Sequence, residues 1–321
     1  MPEFPISKDH PWLAPIAGFS DLPFRLLCRE FGCKVAVTEM VSAKGLLHNP
    51  KENLRYIKTI EQDSPLVVQL FGDDPQIMAD AVKLLKDKNY KYFDLNSGCP
   101  VKKVTKTGAG AALLKDLKKL NNILESMAKV AGAENVGIKT RLGWDKQCVT
   151  YIHVGNIVQK LGLGWITLHP RFAKQGFSGK ADWYATYELK QMIKVPIIAS
   201  GDLFTAEDGI RCIRETHADS LMFARGALKN PAIFMEYLNL LKGKSSLYDK
   251  NKLKIDIIKL HIELIKRYSE VKNPIFKIRG ILAKYIRGFK GSKKLRERAV
   301  KVNSFEEVIQ IIKLLEEEVC K

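Results

Sequence analysis

Short apolar runs alternate with longer stretches of helical periodicity over the first 242 residues of the chain. Each run is five or six residues long and rich in β-branched or aromatic residues, which is typical of strands that are buried on both faces. The predicted strands are Trp12–Ala17, Val35–Glu39, Leu66–Phe71, Tyr92–Asn96, Val136–Thr140, Trp165–His169, Pro196–Ser200 and Ser220–Ala224. The helices predicted between and after them are Leu22–Phe31, Pro75–Lys88, Leu117–Val130, Val149–Leu161, Ala206–Thr216 and Leu228–Leu241.

Eight strands that alternate with helices predict an α/β protein built on a (β/α)8 TIM barrel. An open doubly wound sheet is the alternative, but no G-x-G-x-x-G pattern follows the first strand. Two helix starts carry capping signals, since Asp74 precedes Pro75 and Thr205 precedes the helix that begins at Ala206.

The pattern changes after residue 242, where strand signals end. Gly243-Lys244-Ser245-Ser246 reads as a linker, and an amphipathic helix is predicted around Leu253–Ile265. Further helices are predicted at Ile275–Phe289 and Ser304–Val319, the latter opened by a Ser304-x-x-Glu307 capping box. We therefore expect a catalytic barrel at 1–242 and a small C-terminal all-α helical bundle at 243–321.

Composition narrows the class of protein. The 321 residues are 46% hydrophobic, which suffices for a large core. No apolar run approaches the ~18 residues that span a bilayer, and the N-terminus lacks the basic and apolar regions of a signal peptide. Six scattered cysteines form no C-x-x-C pair, which favours a reducing cytoplasm and argues against a structural metal.

The formal net charge of +18 indicates a polyanionic partner. The segment from Gly243 onward carries 20 basic and 10 acidic residues, so its charge is +10. Since 40 of the 53 basic residues are lysines, a lysine-rich composition on an ordinary solvated surface remains the alternative.

Polar or tightly turning residues stand at nearly every predicted strand end, which is where TIM barrels build their active sites. These ends are Pro15-Ile16-Ala17, Glu39, Gln69, Asn96 with Cys99, Lys139 with Arg141, His169 with Arg171, Ser200-Gly201-Asp202 and Ala224-Arg225-Gly226. The last two turns follow strands seven and eight, where barrels commonly bind phosphate. A phosphate-tailed cofactor would lay its ring over the barrel mouth, with Lys139 stabilising negative charge on a reduced flavin and Gln69 bonding its polar edge.

The turn Asp94-Leu95-Asn96-Ser97-Gly98-Cys99-Pro100 follows the fourth strand. Gly98 and Pro100 constrain the backbone around a single thiol, with Asn96 three residues before it. A buried structural cysteine is the alternative interpretation.

The sequence resembles the tRNA-dihydrouridine synthases, nearest the bacterial B type, over essentially its whole length. The resemblance is carried by Ala14–Gly18, Asp21–Arg25, Thr38–Met40, Gln69–Gly72, Asp94–Pro100, Gly108–Leu114, Lys139–Trp144, His169–Arg171, Gly179–Trp183, Ser200–Asp202 and Arg225–Ala227. It departs from the family pattern at Pro170, Ser200, Ala224 and Arg279-Gly280.

The resemblance implies that FMN, reduced by NADPH or NADH, passes hydride to C6 of a tRNA uridine while Cys99 protonates C5. Asn96 would help to place the uracil, and Lys139 would act beside the flavin. The residues implied to bind FMN are Pro15, Ile16, Ala17, Gln69, Lys139, His169, Ser200, Gly201, Asp202, Ala224 and Arg225. A thiol suits protonation of C5 because it is mostly protonated at neutral pH and is a stronger acid than a hydroxyl.

The resemblance also implies that the helical domain grips tRNA. No obligate protein partner is evident in the sequence, so a monomer is expected. The basic residues expected to contact tRNA are Lys106, Arg141 and Arg171 near the mouth and Lys277, Arg279, Lys284, Arg287, Lys290, Lys293 and Lys294 in the tail. Two rivals remain: an FMN barrel acting on a small molecule, of the dihydroorotate or enoate type, and a non-catalytic RNA-binding scaffold.

Overall fold

The computed structural model describes residues 3–244, 248–289 and 291–319. Its strands, in chain order, are β1 (Trp12–Leu13), β2 (Val35–Val37), β3 (Val41–Ser42), β4 (Leu66–Phe71), β5 (Tyr92–Ser97), β6 (Val136–Asp145), β7 (Cys148–Val149), β8 (Trp165–Phe172), β9 (Ile197–Ser200) and β10 (Ser220–Phe223). The helices of the barrel part are α1 (Leu22–Glu30), α2 (Ala43–His48), α3 (Pro50–Leu54), α4 (Pro75–Lys86), α5 (Lys102–Thr105), α6 (Leu117–Ala131), α7 (Tyr151–Lys160), α8 (Trp183–Met192), α9 (Ala206–Thr216), α10 (Arg225–Lys229) and α11 (Ile233–Leu241).

Eight parallel strands close into a barrel, which confirms the predicted fold. They pair in the order β2-β1-β10-β9-β8-β6-β5-β4, and β2 pairs with β4 to complete the ring. β3 continues along β4 after β2, so Thr38-Glu39-Met40 interrupts what is otherwise one strand. β7 folds back antiparallel on the extended end of β6.

Side chains that point into the barrel are apolar at its N-terminal end and polar at its C-terminal end. Phe4, Trp12 and Trp165 fill the N-terminal end, with ring centroids 5.6–6.1 Å apart. Gly137 makes room for them, because a Cβ at that position would lie 2.1 Å from the Trp165 ring. This aromatic plug closes one end of the barrel and leaves the other for binding.

Several helix boundaries agree with the sequence. Thr205 caps α9 in a reciprocal capping box with Asp208, and Asp74 accepts a hydrogen bond of 2.8 Å from the N–H of Ile77. Two other boundaries differ from the prediction. The helix predicted over 228–241 breaks at Asn230-Pro231 because proline removes a backbone donor, and Val149 belongs to β7 rather than to α7.

Four helices follow the barrel in the described part of the chain: α12 (Lys250–Tyr268), α13 (Pro274–Tyr285), α14 (Ser292–Ala299) and α15 (Phe305–Val319). Ser304 accepts from the N–H of Glu307 at 3.3 Å. The carboxylate of Glu307 bonds the N–H of Asn303 rather than that of Ser304, so the capping box is only half formed. Of the predicted linker, Ser245 and Ser246 lie outside the described residues. We keep the division at 242/243 as a proposal.

These helices dock on the barrel beside α1. Phe24 of α1 lies 5.6 Å, ring to ring, from His261 of α12. Lys277 of α13 forms an ion pair with Asp21, the residue that caps α1. Apolar residues of both parts belong to one continuous buried cluster, which fixes the helices relative to the barrel mouth. Among the described helices, none is long and apolar enough to cross a membrane.

Candidate active site

A cavity of about 280 Å³ opens at the C-terminal ends of the barrel strands. It is lined by Ala14, Pro15, Ile16, Ala17, Met40, Gln69, Asn96, Gly98, Cys99, Pro100, Val101, Lys139, Arg141, His169, Phe177, Ser200, Gly201, Asp202, Leu203, Phe204, Met222, Ala224 and Arg225. Every residue expected to bind the cofactor is in this lining, together with Asn96 and Cys99. The fold thus brings together residues that are more than 200 positions apart in the chain.

The loop after β1 supplies the apolar edge Pro15-Ile16-Ala17. Two hydrogen bonds hold it: the N–H of Ile16 donates to Ser20 Oγ at 2.9 Å, and the N–H of Gly18 donates to Glu39 Oε2 at 2.5 Å. Burial raises the pKa of Glu39. Its carboxylate holds the loop through the N–H of Gly18, and Glu39 is not part of the cavity lining.

The Cys99 turn is held by the side chain of Asn96. Asn96 Oδ1 accepts from the N–H of Gly98 at 3.1 Å and from the N–H of Cys99 at 2.9 Å. Its Nδ2 donates to Gln69 Oε1 at 2.8 Å and contacts Met40 Sδ at 3.4 Å. Cys99 is a half-buried free thiol on the cavity wall. The Asn96 amide is thus engaged by the protein at both of its atoms.

Lys139 and Arg141 make one wall of the cavity positive. Burial, together with the nearby Arg141, lowers the pKa of Lys139 to about 8. The Lys139 ammonium has no hydrogen-bond partner among residues 3–244, 248–289 and 291–319, so it is available to a ligand. Arg141 is committed to the backbone, since it donates to the carbonyl oxygens of Gly98, Phe172 and Gly176 at 2.8–3.1 Å.

His169 is neutral, because burial and then the surrounding cations lower its pKa far below the ordinary value. Arg171 Nη1 lies 3.2 Å from His169 Nε2. A guanidinium can only donate, so Nε2 accepts and the ring proton is on Nδ1. His169 therefore offers an N–H donor from Nδ1.

Asp202 links this wall to the last two strands. It accepts from Arg171 and from the N–H of Ala181 at 2.8 and 2.7 Å, and from Arg225 at 3.2 Å. Burial alone would raise the pKa of Asp202, but these partners outweigh it and lower the pKa.

The turns after β9 and β10 form a small-residue cradle. Gly201 and Asp202 both have positive φ, +99° and +55°, and a Cβ at Gly201 would lie 2.7 Å from the His169 ring. Arg225 begins α10 directly after Ala224. Ser200 Oγ is 3.5 Å from the carbonyl oxygen of Met222. Backbone N–H groups, a cation and little side-chain bulk suit a phosphate.

Phe177 was missed by sequence reasoning. It is 61% exposed, yet it lines the cavity, and the guanidinium carbons of Arg225 and Arg141 lie 4.8 and 5.7 Å from its ring centre. The glycines on either side of Phe177-Ser178 mark a turn that presents this ring, and that is the signal that could have found it.

Comparisons with known proteins agree with this geometry. The family model for dihydrouridine synthase matches residues 12–319. The chain belongs to the dihydrouridine synthase family. It is 33% identical to the probable tRNA-dihydrouridine synthase 1 of Synechocystis over 92% of this chain and 82% of that protein. It is 36% identical to tRNA-dihydrouridine synthase B of Pseudomonas syringae over 73% and 69%, and 31% identical to the probable synthase of Treponema pallidum over 95% and 93%.

Solved structures support the fold of this family member. Morphinone reductase aligns with a TM-score of 0.52 at 10% identity, covering 74% of this chain and 87% of that one. A 2-naphthoyl-CoA reductase aligns with a TM-score of 0.57 at 10% identity, covering 75% and 52%. At this identity the likeness concerns the barrel alone.

The basic residues expected to contact tRNA in this dihydrouridine synthase fall into different environments. Arg171 is only 2% exposed, and its ion pair with Asp202 and its bonds to backbone oxygens turn it away from solvent. It therefore supports the cavity wall, and its expected contact with flanking phosphates stays a prediction. Arg141 is similarly buried, although it lines the cavity. Lys106 is exposed beyond α5 and outside the cavity lining.

The tail residues divide in the same way. Lys277 is paired with Asp21, and Arg279 donates to Val302 O and Asn303 Oδ1, so both are engaged within the protein. The exposed ones are Lys284, Arg287, Lys293 and Lys294, and Lys290 lies outside the described residues. Lys284 is 4.0 Å from the ring centre of Phe19, in the loop that borders the cavity.

Within the described ranges, no group of three or more His, Cys, Asp or Glu side chains is placed to hold a metal ion.

Proposed function

We propose that this dihydrouridine synthase binds FMN in the barrel cavity and, with NADPH or NADH as reductant, reduces a uridine of tRNA to 5,6-dihydrouridine. One observation carries the proposal: a phosphate-type cradle at Gly201–Arg225, an unpaired cation at Lys139 and a free thiol at Cys99 share one cavity. The names of the relatives supply the substrate class. Cytoplasmic location and a monomeric state belong to the same proposal.

The residues present fit a flavin mononucleotide. Gly201, Asp202, Ala224 and Arg225 would hold the phosphate through backbone N–H groups and one guanidinium. Lys139 and the Nδ1–H of His169 would face the ring system, and both are donors suited to a group that gains negative charge on reduction. A reduced flavin supplies hydride to the pyrimidine when it is bound.

Cys99 holds the proton that the reduced pyrimidine needs. Asn96 fixes the backbone on which this thiol sits through two hydrogen bonds of 2.9 and 3.1 Å, and Cys99 lines the cavity. Pro100 and Val101 continue the wall and would exclude water from the thiol. A thiol can donate a proton at neutral pH, at which a carboxyl group would be ionised.

The uridine must leave its stack to enter a cavity of this depth. The exposed Lys284, Arg287, Lys293 and Lys294 would hold the tRNA backbone near the mouth. Lysine suits phosphate contact more than base reading. A small-molecule substrate would leave this basic helical surface without a role.

The test is a comparison of purified wild-type, Cys99→Ala and Cys148→Ala proteins. Cys148 is the matched control, because it is also half-buried and free but bonds Leu114 O outside the cavity. All three should bind FMN with the same absorbance spectrum, and only Cys99→Ala should fail to form dihydrouridine in unmodified tRNA. Reduction of free orotate or uracil in preference to tRNA, or a wild-type rate for Cys99→Ala, would contradict the proposal.

A further inference from the structure

A continuous line of hydrogen bonds crosses the barrel interior from Trp165 to the Cys99 turn. Trp165 Nε1 donates to Asp94 Oδ1 at 3.1 Å, and Gln69 Nε2 donates to Asp94 Oδ2 at 2.7 Å. Asn96 Nδ2 donates to Gln69 Oε1 at 2.8 Å, and Asn96 Oδ1 accepts from the N–H of Cys99 at 2.9 Å. Each of these side chains is at most 7% exposed except that of Cys99, so water cannot substitute for a lost partner.

Both ends of this line are groups that can only donate. The indole N–H of Trp165 has no acceptor function, and neither has the backbone N–H of Cys99. Starting from Cys99, Asn96 must present its oxygen to the turn and its nitrogen to Gln69. Gln69 must then present its oxygen to Asn96 and its nitrogen to residue 94. Residue 94 therefore faces a donor on each side and has to accept at both atoms, which a carboxylate does and an amide cannot.

We propose that Asp94 is a positioning residue that sets the direction of the two hydrogen bonds joining it through Gln69 to Asn96, and so holds the backbone of Cys99. Its consequence for protonation of the pyrimidine rests on the proposed function of Cys99. The direction of the hydrogen bonds does not rest on that function and can be tested without turnover.

Two isosteric substitutions probe this direction. Asp94→Asn leaves one amide nitrogen facing another donor, at Trp165 or further along at the Cys99 turn. Asn96→Asp alone places a carboxylate oxygen against Gln69 Oε1 or turns Gln69 Oε1 towards Asp94. The two changes together restore a complete line in which only the two central hydrogen bonds are reversed: Asn at 94 accepts from Trp165 and donates to Gln69, which donates to Asp at 96. Only the weak contact to Met40 Sδ is lost, and the net charge is unchanged.

The measurements are amide hydrogen exchange of the 94–101 segment by mass spectrometry and the melting temperature, on the full chain with and without FMN. Asp94→Asn should exchange the Gly98 and Cys99 amides about tenfold faster, the factor that loss of one hydrogen bond gives. Asn96→Asp keeps an oxygen acceptor for both amides, so its conflict at Gln69 should appear in the melting temperature. Each single variant should melt about 2–4 °C lower. The double variant should return to within about twofold of wild-type exchange, because its conflicts cancel.

Asp63→Asn is the matched control, since Asp63 is also fully buried but pairs with Arg25 and Arg29 and shares no bond with this line. The fall in melting temperature caused by Asp63→Asn should add to the fall caused by Asn96→Asp, without rescue. Additive losses in Asp94→Asn with Asn96→Asp would overturn the proposal. Should Asp94→Asn alone not fold, a folded double variant supports the proposal and an unfolded one refutes it.

Discussion

His261 should make the stability of this protein sensitive to mild acid. The residue lies on α12 at the contact with the barrel, is 2% exposed, and its Nδ1 is 3.1 Å from the Tyr285 hydroxyl. Its Nε2 has no partner among the residues that the structure describes. Burial, with a smaller effect of Lys277, lowers the pKa of His261 to about 3. The folded protein therefore holds this imidazole neutral at a pH where the unfolded chain would protonate it.

The sign and size of the effect follow from linkage. The unfolded chain binds the proton more tightly, so the stability contribution is complete above the unfolded pKa of about 6.5 and is lost as the pH falls towards about 3. Between pH 7 and pH 5 this one residue should cost about 2 kcal/mol of the free energy of unfolding. Loss on that scale is a large fraction of the stability of an ordinary domain.

The assay is urea unfolding of the wild type, His261→Gln and His153→Gln at several pH values between 5 and 8. Other groups titrate as well, but they contribute equally to all three proteins. The free energy of unfolding of His261→Gln should gain about 2 kcal/mol relative to the wild type on going from pH 7 to pH 5. His153 is exposed on α7, so its variant should follow the wild type. A difference between His261→Gln and wild type that does not change with pH would refute the reasoning.

Three further predictions concern the cavity and the lysines of α14. Lys139→Met should bind FMN more weakly than the wild type when apoprotein is titrated with FMN. The affinity of the wild type should fall as the pH rises through about 8, where Lys139 loses its proton, and the variant should show no such fall. Arg171→Gln should remove the donor to His169 Nε2, and nitrogen-15 NMR of the imidazole should then show loss of the single Nδ1–H tautomer; an unchanged spectrum contradicts this. Lys293→Glu with Lys294→Glu should weaken tRNA binding and reduce the slope of log affinity against log salt by about 1.5. The same charge reversal at two lysines of the barrel helix α6 should leave both the affinity and this slope unchanged.

The barrel was predictable because its strands carry their own signal. β4 begins and ends where the apolar run Leu66–Phe71 does, and β5 and β9 differ from the prediction by one residue each. A strand buried on both faces reads as a continuous apolar segment. β6 and β8 extend beyond the predicted ends, to Asp145 and Phe172, because they pair with each other there and β6 also pairs with β7. Such pairing depends on tertiary contacts that a local pattern does not contain.

Helices whose periodicity is weak were not predicted. α8 (Trp183–Met192) buries only Ala185, Thr186 and Leu189 and leaves Tyr184 and Met192 exposed, so its apolar residues do not form one buried face. α14 (Ser292–Ala299) buries Ala299 alone among its described residues. In both cases the helix is stabilised by where it lies in the fold rather than by an apolar stripe of its own.

The cavity residues at the strand ends could be predicted, but neither their partners nor Phe177 could. The end of each barrel strand points to one mouth, so position in the chain was enough to select Gln69, Lys139 and His169. Whether a cation meets solvent is decided by the side chains around it, and Arg171 shows the difference. Its partner Asp202 lies in a turn 31 residues later in the chain. The ion pair between them engages the Arg171 guanidinium in the cavity wall.

Asp94 marks the point at which sequence reasoning could have gone further. In a barrel strand every second residue points inward, so Asn96 facing the cavity requires Asp94 to face the interior as well. An inward carboxylate must find donors. The neighbouring strand β4 offers Gln69 at that level, whereas Trp165 reaches Asp94 from β8, beyond Gly137 of β6. Parity therefore identifies Gln69 as a donor before any coordinates are known, but it does not identify Trp165, which lies two strands away. The direction of the hydrogen bonds could not be predicted in this way. It also depends on the backbone N–H groups of the Cys99 turn, and only the folded structure shows that they point at Asn96.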